Sequence, residues 1–332
     1  MSKKKNIFAL FIILFGLIGV VLWVLSWIIK TGARLEGVIP YIEYVYYVCA
    51  GLMVVFLIVK PTLEVLFAPS YSLEVISKKL EGTQKEKIVK RNYKQLRKLS
   101  KRLIHKKLID ESSVTMLENE LKVKDKTLVQ RYSDLKDVVD KIVDKTIKKD
   151  IKKIVVDNAR NTLYLTSLSQ NSIVDLLIVT VTNFRMLKQI VIRCGYRPSF
   201  VRLLKFYLNV SFHALVADGV QRMDISSLLS DSVKGLAKPV VGSLIEGSVN
   251  AFFMLRSGFL ARNYILEEYS DVGGKDRITS SAFLEAASVL PDLTLATVVK
   301  PIADAISSTV VAPTKKAVKK LFSKKEKIEI ES

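Results

Sequence analysis

The 332-residue chain is predicted to be all-α: an N-terminal transmembrane helix hairpin, a basic helical stalk and a C-terminal helical domain. Three observations predict this. Two early stretches are long, apolar and almost free of charge. The remainder carries most of a net charge of +20. Glycine and proline are sparse at 14 and 8, while Leu, Ile, Val and Lys recur at helical spacing.

The first apolar stretch, Ile7 to Ile29, contains 23 residues without a charge. At 1.5 Å per residue it forms a helix about 34 Å long, enough to cross the hydrocarbon core with some tilt. Trp23 and Trp27 sit toward one end, as residues of an interfacial aromatic belt do. The second stretch, Tyr41 to Val59, opens with Tyr41, Tyr44, Tyr46 and Tyr47 and closes at Lys60-Pro61. Its one charge, Glu43, lies close enough to the end to reach the headgroups. A cleaved signal peptide, with Lys3-Lys4-Lys5 as its basic region, is the alternative. The apolar run exceeds the usual 7–15 residues, no small-x-small cleavage site follows, and a second span comes at once. Gly16, Gly19, Ala50 and Gly51 are small enough to let the two helices approach closely.

The loop between the spans, Lys30 to Pro40, holds Lys30, Arg34 and Glu36, whereas the outer flanks hold Lys3, Lys4, Lys5 and Lys60. The positive-inside rule therefore puts both termini of a multi-pass protein in the cytoplasm, at the cell inner membrane.

Residues 1–59 contribute only +3, so +17 remains for the rest, and such an excess implies an acidic partner. From Lys78 to Lys107 thirteen Lys and Arg face only Glu81 and Glu86. Ile88, Leu96, Leu99, Leu103 and Ile104, with Tyr93 among them, form an apolar stripe on this cationic helix. Asp110-Glu111-Ser112-Ser113 reads as a turn. Leu128, Tyr132, Leu135, Val139 and Ile142 then repeat in a heptad-like pattern, predicting two antiparallel helices over residues 68–149. The cationic side, Lys90, Arg91, Lys94, Arg97, Lys98, Lys101 and Arg102, suits anionic lipid headgroups, since the chain has just left the membrane. Nucleic-acid binding is the weaker alternative, because only Tyr93 is available for stacking. A purely solvated face is the bland one.

From about Asp150 the charges thin out. Ser172 to Ile192, Ser199 to Arg222 and Val240 to Tyr269 read as successive helices, separated by Cys194-Gly195-Tyr196-Arg197-Pro198 and closed near Gly273-Gly274. Leu176 to Val181 is too short to span and marks a core helix; a third span or re-entrant hairpin over Ser172 to Ile192 is the alternative. Asp175, Asn183, Arg185, Asn250 and Arg256, with Asp218, are polar residues in apolar helices. They predict a buried polar network, or else a partner site, because buried charge requires compensation. Gly195, Gly247 and Gly258 read as turn or close-packing positions.

The order Asp150-x-x-Lys153, Ile173-Val-Asp-Leu-Leu, Asn183-Phe-Arg-Met-Leu, Cys194-Gly-Tyr and Val201-Arg-Leu-Leu-Lys resembles the YcjF-like bacterial inner-membrane proteins. Gly247, Val249, Asn250, Arg256, Gly258 and Ala261 match that family's Gly-x-Val-Asn and Arg-x-Gly-x-x-Ala pattern. The resemblance covers residues 150–268. It departs where the family carries Cys-Arg-Pro and this chain has Leu266-Glu267-Glu268-Tyr269. It implies a helical domain of unknown function, 150–312 here, tied to the inner membrane and associated with a small GTPase. Self-association into a homo-oligomer is a separate alternative, not one that the resemblance implies.

The chain has no phosphate-binding Gly-x-x-x-x-Gly-Lys-Ser/Thr of its own; Gly273-Gly274-Lys275-Asp276 lacks the first glycine and the hydroxyl. Its only histidines, His105 and His213, and its two cysteines, Cys49 and Cys194, form no ligand cluster. Glu267 and Glu268 are helix neighbours pointing about 100° apart, not a catalytic carboxylate pair. No enzyme, metal or cofactor is therefore expected. The tail, residues 313–332, holds seven lysines from Thr314 to Lys327 around Ala317, Val318, Leu321 and Phe322. It reads either as a helix lying on an anionic membrane or as a solubilising end.

Overall fold

The computed structural model describes residues 3–34, 41–71, 73–74, 76, 82–169, 171–197, 238–266 and 275–301. The expected helix Ser199 to Arg222, His213, Asp218, Glu267-Glu268, Gly273-Gly274 and the tail 313–332 lie outside the described residues. Within them the regular structure is helical, and the one extended pairing is an isolated bridge between Ser70 and Arg197.

α1 (Lys3–Gly32) and α2 (Ile42–Val54) cover the two apolar stretches and pack against each other. They pack through Val24, Ile28, Val54 and Ile58. Phe8, Phe11, Phe15, Val48 and Phe56 point outward and are mostly exposed. A contiguous apolar surface of this extent is incompatible with water and suits lipid. The expected close approach at Gly16, Gly19 and Gly51 is not found: a methyl group at any of them would have open space. Of the four small residues Ala50 packs against the interhelical cluster, and the tightest glycine of the two helices is Gly32, where a Cβ would lie 2.5 Å from Cζ of Tyr47. The Tyr47 ring occupies the space that a side chain at position 32 would fill.

The second apolar helix does not stop at Lys60-Pro61. It passes through one π turn, Val55–Val59, and continues as α3 (Lys60–Phe67). Pro61 has no N–H to offer, and the wide turn before it absorbs the interruption. Thr62 adds a hydroxyl bond to the Ile58 carbonyl at 2.8 Å. Among the described residues three helices are long and apolar enough to cross a membrane: Leu14–Gly32, Ile42–Phe67 and Ser280–Val299. The third was not anticipated. Its apolar residues are broken by Glu285 and Asp292, so no charge-free run betrays it in the sequence.

The stalk contains three helices rather than two: α4 (Gly82–His105), α5 (Glu111–Lys122) and α6 (Leu128–Ile142). The stretch read as a turn starts α5. Asp110 precedes it with extended backbone and accepts from the hydroxyls of Ser112 and Ser113, the latter at 2.7 Å. These bonds hold the Asp110 carboxyl down at about 2. A capping box of Thr127 and Gln130 opens α6. As the spacing predicted, Tyr93, Leu96, Leu99 and Leu103 of α4 face Leu135, Val139 and Ile142 of α6 in one core.

α6 runs through a second π turn, Val143–Ile147, directly into α7 (Lys148–Leu168). Buried apolar residues here recur every four positions: Val143, Ile147, Ile151, Val155, Ala159 and Leu163. Four exceeds the 3.6 of a regular α-helix, and a wide turn absorbs part of that drift.

α8 (Ser172–Cys194), α9 (Lys238–Leu266) and α10 (Lys275–Thr294) complete a bundle with α7. α7 and α9 share the most extensive interface. A Cβ on Gly258 would press on Val155 at 2.5 Å, and one on Gly247 on Ser167 and the Leu163 carbonyl, so both are close-packing positions as expected. Gly195 is a turn residue with φ +76°. One hydrophobic core joins Val65 and Leu66 of α3, the stalk and the bundle. The membrane-hairpin cluster is separate, and Leu177, Val181 and Phe184 of α8 pack against it.

Candidate functional site

The five polar positions expected in the bundle lie on α8 and α9. Asn183 accepts a bond from Ser257 at 2.7 Å, tying α8 to α9. Arg256 is half-buried with its guanidinium 5.7 Å from the Phe283 ring centre, and burial lowers its pKa. Asn250 is half-buried on α9. Asp175 lies near the start of α8, where burial raises its carboxyl, Ser169 opposes the rise and Glu246 adds to it. Arg185 is exposed on the outer side of α8 and has no hydrogen-bond or ion-pair partner among the described residues.

On α4 the residues Lys90, Arg91, Lys94, Arg97, Lys98 and Lys101 are exposed, while Val89, Tyr93 and Leu96 turn inward. Arg91 reaches Glu74 at 3.1 Å. Arg102 is different: half-buried, it donates to the Gly195 carbonyl at 3.2 Å and ties the stalk to the end of α8.

Several polar ties carry no signal of their own in the sequence. Arg193 binds Asp150, with Nε at 2.9 Å, and also the Leu108 carbonyl. It joins the end of α8 to the start of α7 and to the link between α4 and α5. Buried Arg197 donates from Nε to the Leu66 carbonyl at 2.9 Å, satisfying the last turn of α3. Tyr196 donates to the Ile265 carbonyl at 3.2 Å and packs on Tyr71. Asn92 pairs with both backbone groups of Glu74, at 2.9 and 2.8 Å. Cys-Gly-Tyr-Arg at 194–197 is thus a connector binding membrane helix, stalk and bundle.

Three adjoining cavities follow the outer side of α8, with volumes of about 450, 370 and 350 Å³. Arg185, Asn158 and Asn161 line the first two, and Lys188 lines the first and third. The largest opens between the membrane helix, at Phe56, Leu57 and Pro61, and the bundle, at Tyr164, Leu165 and Thr182. Lys188 forms an ion pair with Glu64 of α3 at 2.6 Å. The lining brings cations and amides beside apolar surface. Among the described residues no three His, Cys, Asp or Glu stand close enough to hold a metal. Cys194 is fully buried, and burial pushes its thiol up to about 12, the opposite of what a nucleophile requires.

No family model, no curated protein and no solved structure matches this chain.

Proposed function

We propose that the protein is a membrane-anchored helical scaffold that holds a basic cytoplasmic module against the inner face of the membrane, both termini cytoplasmic. The observation that carries this reading is the continuity between anchor and module. The second apolar helix contributes Val65 and Leu66 to the same core as the stalk and bundle, and α8 packs on the hairpin through Val181 and Phe184. An anchor joined by a flexible linker leaves its module free to rotate. Here packing and the Glu64–Lys188 pair fix the orientation, and the basic side of α4 is presented at a set angle to the bilayer.

The partner class follows from the resemblance over residues 150–268: a small GTPase, recruited to the membrane through the scaffold. The test uses the full chain solubilised from membranes, with GDP or a non-hydrolysable GTP analogue present, and identifies what co-purifies. Enrichment of one GTPase in one nucleotide state supports the pairing. Recovery of no GTPase in either state removes it and leaves the scaffold alone.

The apolar helix Ser280–Val299 favours a second reading, a polytopic membrane protein with a third span. Arg262 and Glu285, paired at 2.6 Å, and Asp292 add charge to that end of the bundle. A full crossing would also carry the lysine-rich tail to the outer face, against the positive-inside rule. We favour packing of this helix within the bundle. Impermeant cysteine labelling at positions 313–332 in intact spheroplasts separates the two: labelling supports three spans, and protection supports two.

A further inference from the structure

We propose that the 450 Å³ cavity between the second membrane helix and α7–α8 binds one anionic glycerophospholipid, with its phosphate on Arg185 and its acyl chains along Phe56, Leu57 and Leu165. The proposal rests on the membrane reading above, and three observations carry it.

The first is position. Val181 and Phe184 pack beside Ile58, and Lys188 pairs with Glu64, so Arg185 stands level with the turn in which the apolar helix meets Lys60. That is the depth at which phosphates lie, because the uncharged stretch ends there. Phe56 is 57% and Leu57 38% exposed, so the membrane side of the cavity is apolar.

The second is charge. Lys188 has Glu64 and Arg193 has Asp150, but Arg185 has no counter-charge among the described residues. No carboxylate lines this cavity, whereas two cations do. An anionic headgroup would supply the missing charge, and the fork of a guanidinium matches phosphate oxygens. A choline headgroup would bring a third positive charge into the same space.

The third is the donor set. Asn158 is already committed to the Ile154 carbonyl and Gln189 at 2.7 and 2.8 Å. Asn161, Thr182 and the Tyr164 hydroxyl remain around the cavity to bind phosphate and glycerol oxygens. An inorganic phosphate would use these donors and leave the apolar half unfilled.

The test is native mass spectrometry of the detergent-solubilised full chain with equimolar phosphatidylglycerol and phosphatidylcholine. The wild type is expected to retain phosphatidylglycerol by about fivefold, the ratio equivalent to about 1 kcal/mol for one basic group at an anionic headgroup. Arg185→Gln is expected to bring the ratio near one, Arg185→Lys to keep most of it, and Lys145→Gln, at an exposed position away from the cavity, to leave it unchanged. Arg185 is exposed, so unaltered thermal unfolding of Arg185→Gln is expected and confirms that the variant is folded. A wild-type ratio near one, a preference that survives Arg185→Gln, or displacement of the lipid by excess inorganic phosphate overturns the proposal. A chain that shows no preference yet stays in the membrane pellet defeats only the lipid site and leaves the anchor intact.

Discussion

Lys188 on α8 lies 2.6 Å from Glu64 on α3, and this pair joins the C-terminal continuation of the second apolar helix to the bundle. Both side chains are only partly exposed, at 27% and 39%. Beside them Ile58 is buried against Val54 and the hairpin, so the ion pair extends an apolar contact to its polar edge. Anchor and module are thereby one packed unit.

Glu64→Gln leaves Lys188 without its carboxylate and is expected to cost about 0.5–1 kcal/mol, the upper range for a partly exposed pair. Thermal unfolding in detergent reads the loss. Adding Lys188→Gln should cost much less than the sum of the two single changes. Strict additivity would show that the pair does not couple the helices.

Gly258 should tolerate no side chain. A Cβ there would meet both methyls of Val155, at 2.5 and 2.6 Å, and that buried β-branched residue cannot swing aside. Gly258→Ala is expected to destabilise by about 1–3 kcal/mol through overpacking. Gly51→Ala, with nothing within 4 Å, is expected to be neutral or slightly stabilising. Denaturation midpoints of the two variants decide between close packing and chance at these glycines.

Asp140 gives the stalk a pH dependence. Burial raises its carboxyl above the ordinary 3.8 although Lys136 opposes the rise. The native state then holds this proton more tightly than the unfolded chain does. The resulting stability is present below pH 3.8 and lost as pH climbs through the raised native value. Asp140→Asn should therefore match or exceed the wild type in thermal midpoint at neutral pH, with its advantage shrinking toward acid. An advantage that grows toward acid would reverse the sign.

Cys194 is buried with its thiol held near 12, so a maleimide should leave it unmodified in the native chain and label it after denaturation. A Cys49→Ser background removes the other thiol. Rapid native labelling would show that the connector at 194–197 opens.

The helical class and the two early apolar helices were legible because lipid exposure and core burial both write themselves as apolar pattern. Phe8, Phe15 and Phe56 read as membrane residues from their neighbours alone, and Leu96, Leu99 and Leu103 as a packed stripe. Contacts between remote polar residues were not legible. Arg197 looks like any loop arginine until the fold brings the Leu66 carbonyl to it, and Arg193 gives no hint that Asp150 lies opposite. Asp110-Glu111-Ser112-Ser113 misled because capping and turn formation use the same short polar side chains. The five polar positions in the bundle were recognisable as costly, but their spacing along single helices could not say which neighbour would satisfy each. Arg185 differs from the other four by facing outward, which depends on how α8 is rotated against the membrane helix.

Membrane integration of the hairpin underlies all of this, and an alkaline carbonate wash of membranes from cells making the full chain tests it most directly. Two apolar helices with Phe, Val and Ile turned outward predict that the protein stays in the pellet and leaves it only with detergent. Intact chain in the carbonate supernatant would contradict the anchor, and with it the fixed placement of the module at the bilayer.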